Sequence, residues 1–319
     1  MKVEYLRYFL AAASEGSFSE AGSKMHISPS SIGYAIDKLE EQLNTNLFVR
    51  IPSKGLSLTP DGIILQENAI KILDDLESIE NNFSGSKNVR GELVVGCQEV
   101  LMWSLVPRAI RIIAKRYPEL KISMVLADLG KDFTLLDQGK IDVLLTFTRE
   151  MVDANSYDIH HLVRPHLFAM MRENHPLDNK KESVSLEDLA KYPQVMNNEQ
   201  TSFDLVKDIY NKYGLSPEIG FTSNLSSGAQ SIVGASDCIA ARFSRPASNL
   251  SPLGDKLVYK KIKEKTERPN IIAAKIKTRL ANKRTKREAF IEICHELFDN
   301  GQMSCLLYTS DAADDMQCV

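Results

Sequence analysis

Within residues 17–43, SFSEAGSKMHISPSSIGYAIDKLEEQL, two helix starts lie eleven residues apart. That interval leaves room for one short helix, a tight turn and the entry to a second helix, and little else. Ser17 suits the cap of the first helix, with Glu20 three residues on able to complete a capping box. Ser28 suits the cap of the second, and Pro29 then occupies the first helical position, where no N–H is needed and a fixed φ favours entry. Ala21, Met25 and Ile27, then Ile32, Ala35, Ile36, Leu39 and Leu43, recur at helical spacing and predict a shared buried face. Ser30, Ser31, Gly33, Tyr34, Asp37 and Lys38 are left on the outer face of the second helix. A helix-turn-helix has this form, with that outer face as the part that enters a groove of DNA. An ordinary helical hairpin shares these features, so the flanks decide.

Before the motif, Leu6, Phe9, Leu10 and Ala13 form the apolar stripe of a bracing helix. After it, Leu47-Phe48-Val49 and Leu56-Ser57-Leu58 read as two short strands around Pro52-Ser53-Lys54-Gly55, which has turn chemistry. Three helices and a hairpin make a winged helix-turn-helix, with Arg50, Ser53 and Lys54 on a wing that contacts phosphate. Leu65, Ala69, Ile72, Leu76, Ile79 and Phe83 then follow in steps of four and three on an otherwise charged helix. Such a seam predicts pairing with a second subunit, although packing within its own domain satisfies the same spacing.

The set Leu6-Arg7-Tyr8-Phe9, Gly16-Ser17-Phe18, Ala21, Ser28, Leu39-Glu40, Leu47-Phe48-Val49-Arg50 and Leu58-Thr59-Pro60-Asp61-Gly62 resembles the LysR-type transcriptional regulators, and the resemblance extends over nearly the whole chain. It departs from the family inside the second motif helix, where Pro29-Ser30 and Gly33-Tyr34 stand in place of the more usual Gln-Pro and Ser-Arg. An arginine at position 34 would read guanine; Tyr34 offers a hydroxyl to phosphate or a ring to a thymine methyl. Gly33 costs the helix about 1 kcal/mol against alanine, which close approach to DNA or tight packing on the first motif helix would each explain.

At 319 residues and 43% hydrophobic, the chain can build at least two domains with full cores. Net charge is -3, and residues 1–62 carry six lysines and arginines against seven acids, so no global field marks a nucleic-acid binder. Glu4 and Arg7 leave too short an apolar run for an export signal, and no stretch reaches the length of a membrane span. A cytoplasmic location is expected.

From residue 89 a βα pattern begins, with strands at 92–96, 122–126 and 141–147 and helices near 105–117 and 133–138. It restarts after residue 162, with strands at 166–172, 218–222, 237–241 and 257–262 and helices at 202–213 and 225–234. A strand at 269–276 and a helix at 286–298 close the chain. Alternation of this kind implies parallel sheet covered on both faces, here in two lobes around a cleft. The predicted organisation is a winged helix-turn-helix over 1–59, a linker or dimerisation helix over 60–84, and a two-lobed α/β effector domain over 89–302. Lobe I takes 89–162 and 268–302, and lobe II takes 163–267.

The resemblance implies that this second domain has the periplasmic-binding-protein-like architecture of LysR effector domains. Mapped by resemblance, the effector positions are Gln98, Glu99, Val100, Thr148, Gln200, Thr201, Ser202 and Asn224. Ser202, beside free N–H groups at a helix start, suits a carboxylate. Glu99 and Asp128 favour instead a cationic or hydroxyl-rich ligand. The partners implied are double-stranded promoter DNA, a small-molecule effector and further copies of the chain, as a homodimer or homotetramer; RNA polymerase is a further candidate.

Competing readings are a solute-binding receptor or an enzyme on the same two-lobed fold. The sequence holds no nucleophile elbow, P-loop, GxGxxG or HExxH. His160, His161, His166 and His175 would alternate faces on an extended segment without cysteine or carboxylate support, so neither metal nor cofactor is expected. Cys97, Cys238 and Cys294 are far apart and suit small buried hydrophobes. Ser304 to Asp314 reads as the translation of a transposase adapter used in DNA library preparation, so residues 303–319 are expected to be foreign and are set aside from fold reasoning.

Overall fold

Ser17 and Ser28 cap the two helices that the sequence assigns to them. The computed structural model describes residues 1–51, 55–84, 89–127, 132–148, 152–178, 182–243, 245–246, 248–277, 285–300 and 303. Its N-terminal domain comprises α1 (Val3–Glu15), α2 (Phe18–Met25), α3 (Pro29–Leu43), the hairpin β1 (Phe48–Ile51) and β2 (Gly55–Leu58), and the long α4 (Pro60–Ser84). The Ser17 hydroxyl accepts from the Ser19 and Glu20 amides at 3.2 and 3.5 Å, the half of the capping box that Ser17 supplies. The Ser28 hydroxyl accepts from the Ser31 amide at 3.1 Å, and Pro29 opens α3 as expected. Leu6, Phe9, Ala12, Ala21, Ile32, Ile36, Leu39 and Leu47 form the core beneath. Arg50 pairs through its backbone with Leu56 across the hairpin; Ser53 and Lys54 lie outside the described residues.

The seam on α4 divides. Leu65 and Ala69 are buried in the N-terminal domain's own core, against α1, so these two do not face a partner. Packing within their own domain, which the spacing also allowed, satisfies their apolar surface. Ile72 and Ile79 remain exposed and Leu76 is half-buried, while the Phe83 side chain lies outside what is described. On the neighbouring face, Gln66 is buried and donates to the carbonyl of Gln138 in lobe I at 3.0 Å.

Lobe I begins with β3 (Gly91–Cys97), α5 (Glu99–Ser104), α6 (Val106–Arg116), β4 (Leu120–Leu126), α7 (Asp132–Asp137), β5 (Val143–Thr148) and β6 (Tyr157–Val163). Lobe II contains β7 (Phe168–Arg172), β8 (Ser183–Val184), α8 (Leu186–Leu189), β9 (Gln194–Met196), α9 (Gln200–Lys212), β10 (Ile219–Thr222), α10 (Ser226–Gly234), β11 (Ala240–Arg242) and β12 (Leu257–Ile262). The chain then returns to lobe I for β13 (Asn270–Ile276) and α11 (Lys286–Asp299).

The sheets are mixed, not purely parallel. Lobe I has the order β4-β3-β5-β13-β6, with β3 parallel to β4 and β5 but β13 antiparallel to β5 and β6. The reason is the double crossover: the chain leaves the lobe after β6 and re-enters it through β13, which inserts between β5 and β6 and runs against both, while β6 keeps the direction of the βα strands. In lobe II, β7 is likewise antiparallel to β11 and β12. Strand β6 carries His160 and His161 at half-buried and exposed positions on a sheet edge, which hides it from a hydrophobic pattern.

The helix expected near 105–117 is α6, with Pro107 in its first turn where its missing N–H is harmless, and a further short helix, α5, precedes it. Apolar clusters fill both lobes, one including Leu93, Val95, Leu101, Ile113, Phe290 and Met303, the other Leu167, Leu186, Leu205, Tyr210 and Ile239. Cys97, Cys238 and Cys294 are free and buried, and burial pushes the Cys97 thiol up to about 12. Among the described residues, no helix is long and apolar enough to cross a membrane. Residues 304–319 lie outside the described set.

Candidate functional site

Two surfaces carry the candidate functional side chains: the outer face of α3 and the cleft between the lobes. On α3, Ser28, Pro29, Ser30, Ser31, Tyr34 and Asp37 are exposed, and Gly33 and Lys38 are partly so. The Ser28 hydroxyl lies 2.8 Å from those of both Ser30 and Ser31, which gathers three hydroxyls at the positive end of the helix. Tyr34 is 57% exposed, the Lys38 ammonium sits 6.0 Å from the centre of its ring, and Lys38 is paired with Glu41.

A methyl at Gly33 would lie 3.9 Å from Phe18, an ordinary contact, so packing does not demand glycine there. Gly22 is the position the turn requires. A Cβ there would come within 2.8 Å of the Ile27 carbonyl oxygen and 3.2 Å of the Pro29 nitrogen.

The acidic balance of this domain is partly absorbed internally. Glu40 accepts from the Leu47 and Phe48 amides, Asp61 accepts from Thr45, and Glu15 pairs with Lys24. Glu40 and Asp61 thus brace the wing and the start of α4.

The cleft has a volume of about 1340 Å³, and Gln98, Glu99, Val100, Thr148, Gln200, Thr201, Ser202 and Asn224 all line it. Their environments differ from those the sequence suggests. The Thr201 and Ser202 amides are not free: Glu199 caps α9 and accepts from them at 2.9 and 2.8 Å. The expected carboxylate site at Ser202 is therefore already filled. Glu99 is not free for a cationic ligand either. From lobe I it reaches the start of α10 in lobe II, accepting from the Ser226 and Ser227 amides and from the Ser227 hydroxyl at 2.6 Å. Asp128 lies outside the described residues.

Asp132 and Arg242 of the cleft lining were not foreseen, nor was Thr146 beside Asp132. Gln98 donates to the Thr146 hydroxyl at 3.2 Å, which donates in turn to buried Asp132 at 2.6 Å. Burial raises the Asp132 carboxyl above its ordinary value, opposed by the Thr146 and backbone hydrogen bonds. Arg242, at the end of β11, lines the cleft with Nε and Nη2 buried and lacking any acceptor among the described residues. Burial lowers its guanidinium below the usual arginine range, with Tyr259 and Glu99 acting the other way. The sequence signal was present: Ile239-Ala240-Ala241-Arg242-Phe243 places one cation inside an apolar strand.

The histidines do not converge. His175 is buried, with Nδ1 accepting from the Leu177 amide and Nε2 near the Asp237 carbonyl, while His160 packs on His295.

Comparison with known proteins places both surfaces in one family. Residues 3–63 match the model of the bacterial regulatory helix-turn-helix protein, lysR family, and residues 86–298 match the LysR substrate binding domain. The transcriptional regulator TtuA of Agrobacterium vitis is 26% identical over 228 residues, 70% of this chain and 74% of that protein. Full-length OxyR from Pseudomonas aeruginosa has the same fold, with a TM-score of 0.70 at 19% identity over 93% of this chain and 97% of that one. Full-length CbnR, solved with its target DNA, matches with a TM-score of 0.54 at 19% identity over 93% and 99%. The chain belongs to the LysR family of transcriptional regulators, with an N-terminal helix-turn-helix DNA-binding domain and a C-terminal effector-binding domain.

Proposed function

We propose that α3 enters the major groove through Ser28, Pro29, Ser30, Ser31, Gly33, Tyr34 and Lys38, while Arg50, Ser53 and Lys54 of the wing meet the sugar-phosphate backbone. The carrying observation is the exposed hydroxyl cluster at the N-terminus of α3, where amide dipoles and three short side chains suit phosphate and base edges. The solved complex of CbnR with its target DNA supports the same use of this fold. Tyr34→Ala is expected to weaken promoter binding by about 1 kcal/mol, the value of an ordinary hydrogen bond. Fluorescence anisotropy across a salt series checks it, and unchanged affinity at every salt concentration removes Tyr34 from the interface.

The reading extends to assembly and control. Exposed Ile72 and Ile79, with Leu76 between them, form the part of the seam left for a second copy, and a homodimer or homotetramer places recognition helices in successive grooves. Ile79→Asp is expected to yield monomers in light scattering; persistent dimers would assign pairing to another surface. A small molecule in the cleft shifts the balance between lobe arrangements by its differential affinity for them. RNA polymerase is the partner through which such a shift reaches transcription. The chain acts in the cytoplasm, where its DNA is, and acts by binding rather than catalysis.

A further inference from the structure

We infer that the effector carries a carboxylate, and that Arg242 holds it side-on through Nε and Nη2. This rests on the reading of the cleft as an effector site and adds the chemical class of its ligand.

The two nitrogens without acceptors, Nε and Nη2, form one edge of the guanidinium. A planar carboxylate spans that edge with two parallel hydrogen bonds. Elsewhere in the molecule the same edge is used: Nε and Nη2 of Arg172 both donate to Asp237, at 2.8 and 2.6 Å. Buried donors in folded proteins are nearly always paired, and a charged donor left unpaired is disfavoured more than a neutral one. An unpaired arginine edge on the wall of a ligand cleft therefore points to a missing acceptor.

The cleft's own acids do not supply it. Glu99 is engaged by Ser226 and Ser227, Glu199 by Thr201 and Ser202, Asp132 by Thr146, Asp153 by Asn155 and Ser156, and Asp204 by Gln200, and Glu267 is not free either. The other two arginines on the cleft are already in contact, Arg164 with Asn270 and Arg268 with His166. Two of the helix starts that line the cleft, those of α9 and α10, are occupied by Glu199 and Glu99, whereas the start of α5 at Gln98 has no side-chain cap. Arg242 is thus the cleft arginine whose Nε–Nη2 edge is buried with no acceptor among the described residues.

Six acids line the cleft against three arginines, so a single negative charge is tolerated better than the double charge of phosphate. Glu99 also ties lobe I to lobe II beside this site, so access to the enclosed edge requires that tie to loosen.

The test titrates the full-length protein with acetate, succinate and benzoate, each against its uncharged amide, and with inorganic phosphate. Thermal midpoint and emission of the single tryptophan, Trp103 on α5, are followed. Wild type is expected to bind at least one acid about tenfold or more tightly than its amide, as a charge-assisted pair requires. Arg242→Gln removes that difference, and Arg242→Lys, which keeps the charge without the fork, restores part of it. Three results would overturn the proposal: no acid separating from its amide, Arg242→Gln binding acids like wild type, or phosphate binding more tightly than every carboxylate. Duplex binding by the wild-type protein, measured separately, reports on the regulator reading itself, so the two can fail independently.

Discussion

Gly22→Ala is expected to weaken promoter binding by about tenfold or more while leaving the effector domain folded, because the added methyl meets backbone rather than movable side chains. The contacts are the Ile27 carbonyl oxygen at 2.8 Å and the Pro29 nitrogen at 3.2 Å, both within the turn that sets α3 against α2. The Ile27 amide also donates to the Gly22 carbonyl at 2.9 Å, so the turn cannot open without losing that bond. Overpacking of this kind costs about 1–3 kcal/mol, and here the strain falls on the element that must meet DNA. Circular dichroism melts and anisotropy check it together. Wild-type affinity and stability in the alanine variant would show that the turn yields freely.

The second large effect concerns Asp142, which joins β3 and β5 to α11. One carboxylate oxygen accepts from the Val94 amide at 2.8 Å, and the other pairs with Arg287 at 2.8 Å and Lys286 at 3.7 Å. Burial alone would raise the Asp142 carboxyl; Arg287, Lys286 and the Val94 amide outweigh it and hold the carboxyl below its ordinary value.

Asp142→Ala removes the carboxylate that Arg287, Lys286 and the Val94 amide share, and the expected loss is about 3–5 kcal/mol of effector-domain stability in urea. A double variant that also carries Arg287→Met should lose less than the single one. The pH dependence has a fixed sign. A depressed carboxyl contributes fully above its unfolded value of 3.8 and loses that contribution as pH falls through the lower folded value. Wild type should therefore lose this stabilisation on acidification through that window, and Asp142→Ala should lack that component.

The N-terminal domain was legible because its signals are local. Ser17, Ser28 and Pro29 mark helix starts within a few residues, and apolar spacing names the core face. What escaped depends on contacts between distant parts of the chain. Leu65 and Ala69 fit a dimer seam equally well until α1 is seen lying on them. Ser202 is a local exception: Glu199, three residues earlier, caps α9 and takes the Thr201 and Ser202 amides, a role that glutamate seldom fills.

Glu99 meets Ser226 and Ser227 across more than a hundred residues, and no spacing rule links them. The mixed sheet has the same origin, since strand direction in lobe I follows from where the chain re-enters it. Arg242 is the instructive case: its place in an apolar strand was visible, but its lack of a partner is a property of the whole cleft.

The most direct measurement compares the protein's affinity for a duplex from its own promoter with that for a scrambled duplex of equal length, by anisotropy over a range of salt. The account predicts a promoter preference of about a thousandfold, with affinity for both duplexes falling as salt rises because phosphate contacts release counterions. Equal affinity for the two duplexes at every salt concentration, with and without carboxylate ligands, would contradict it.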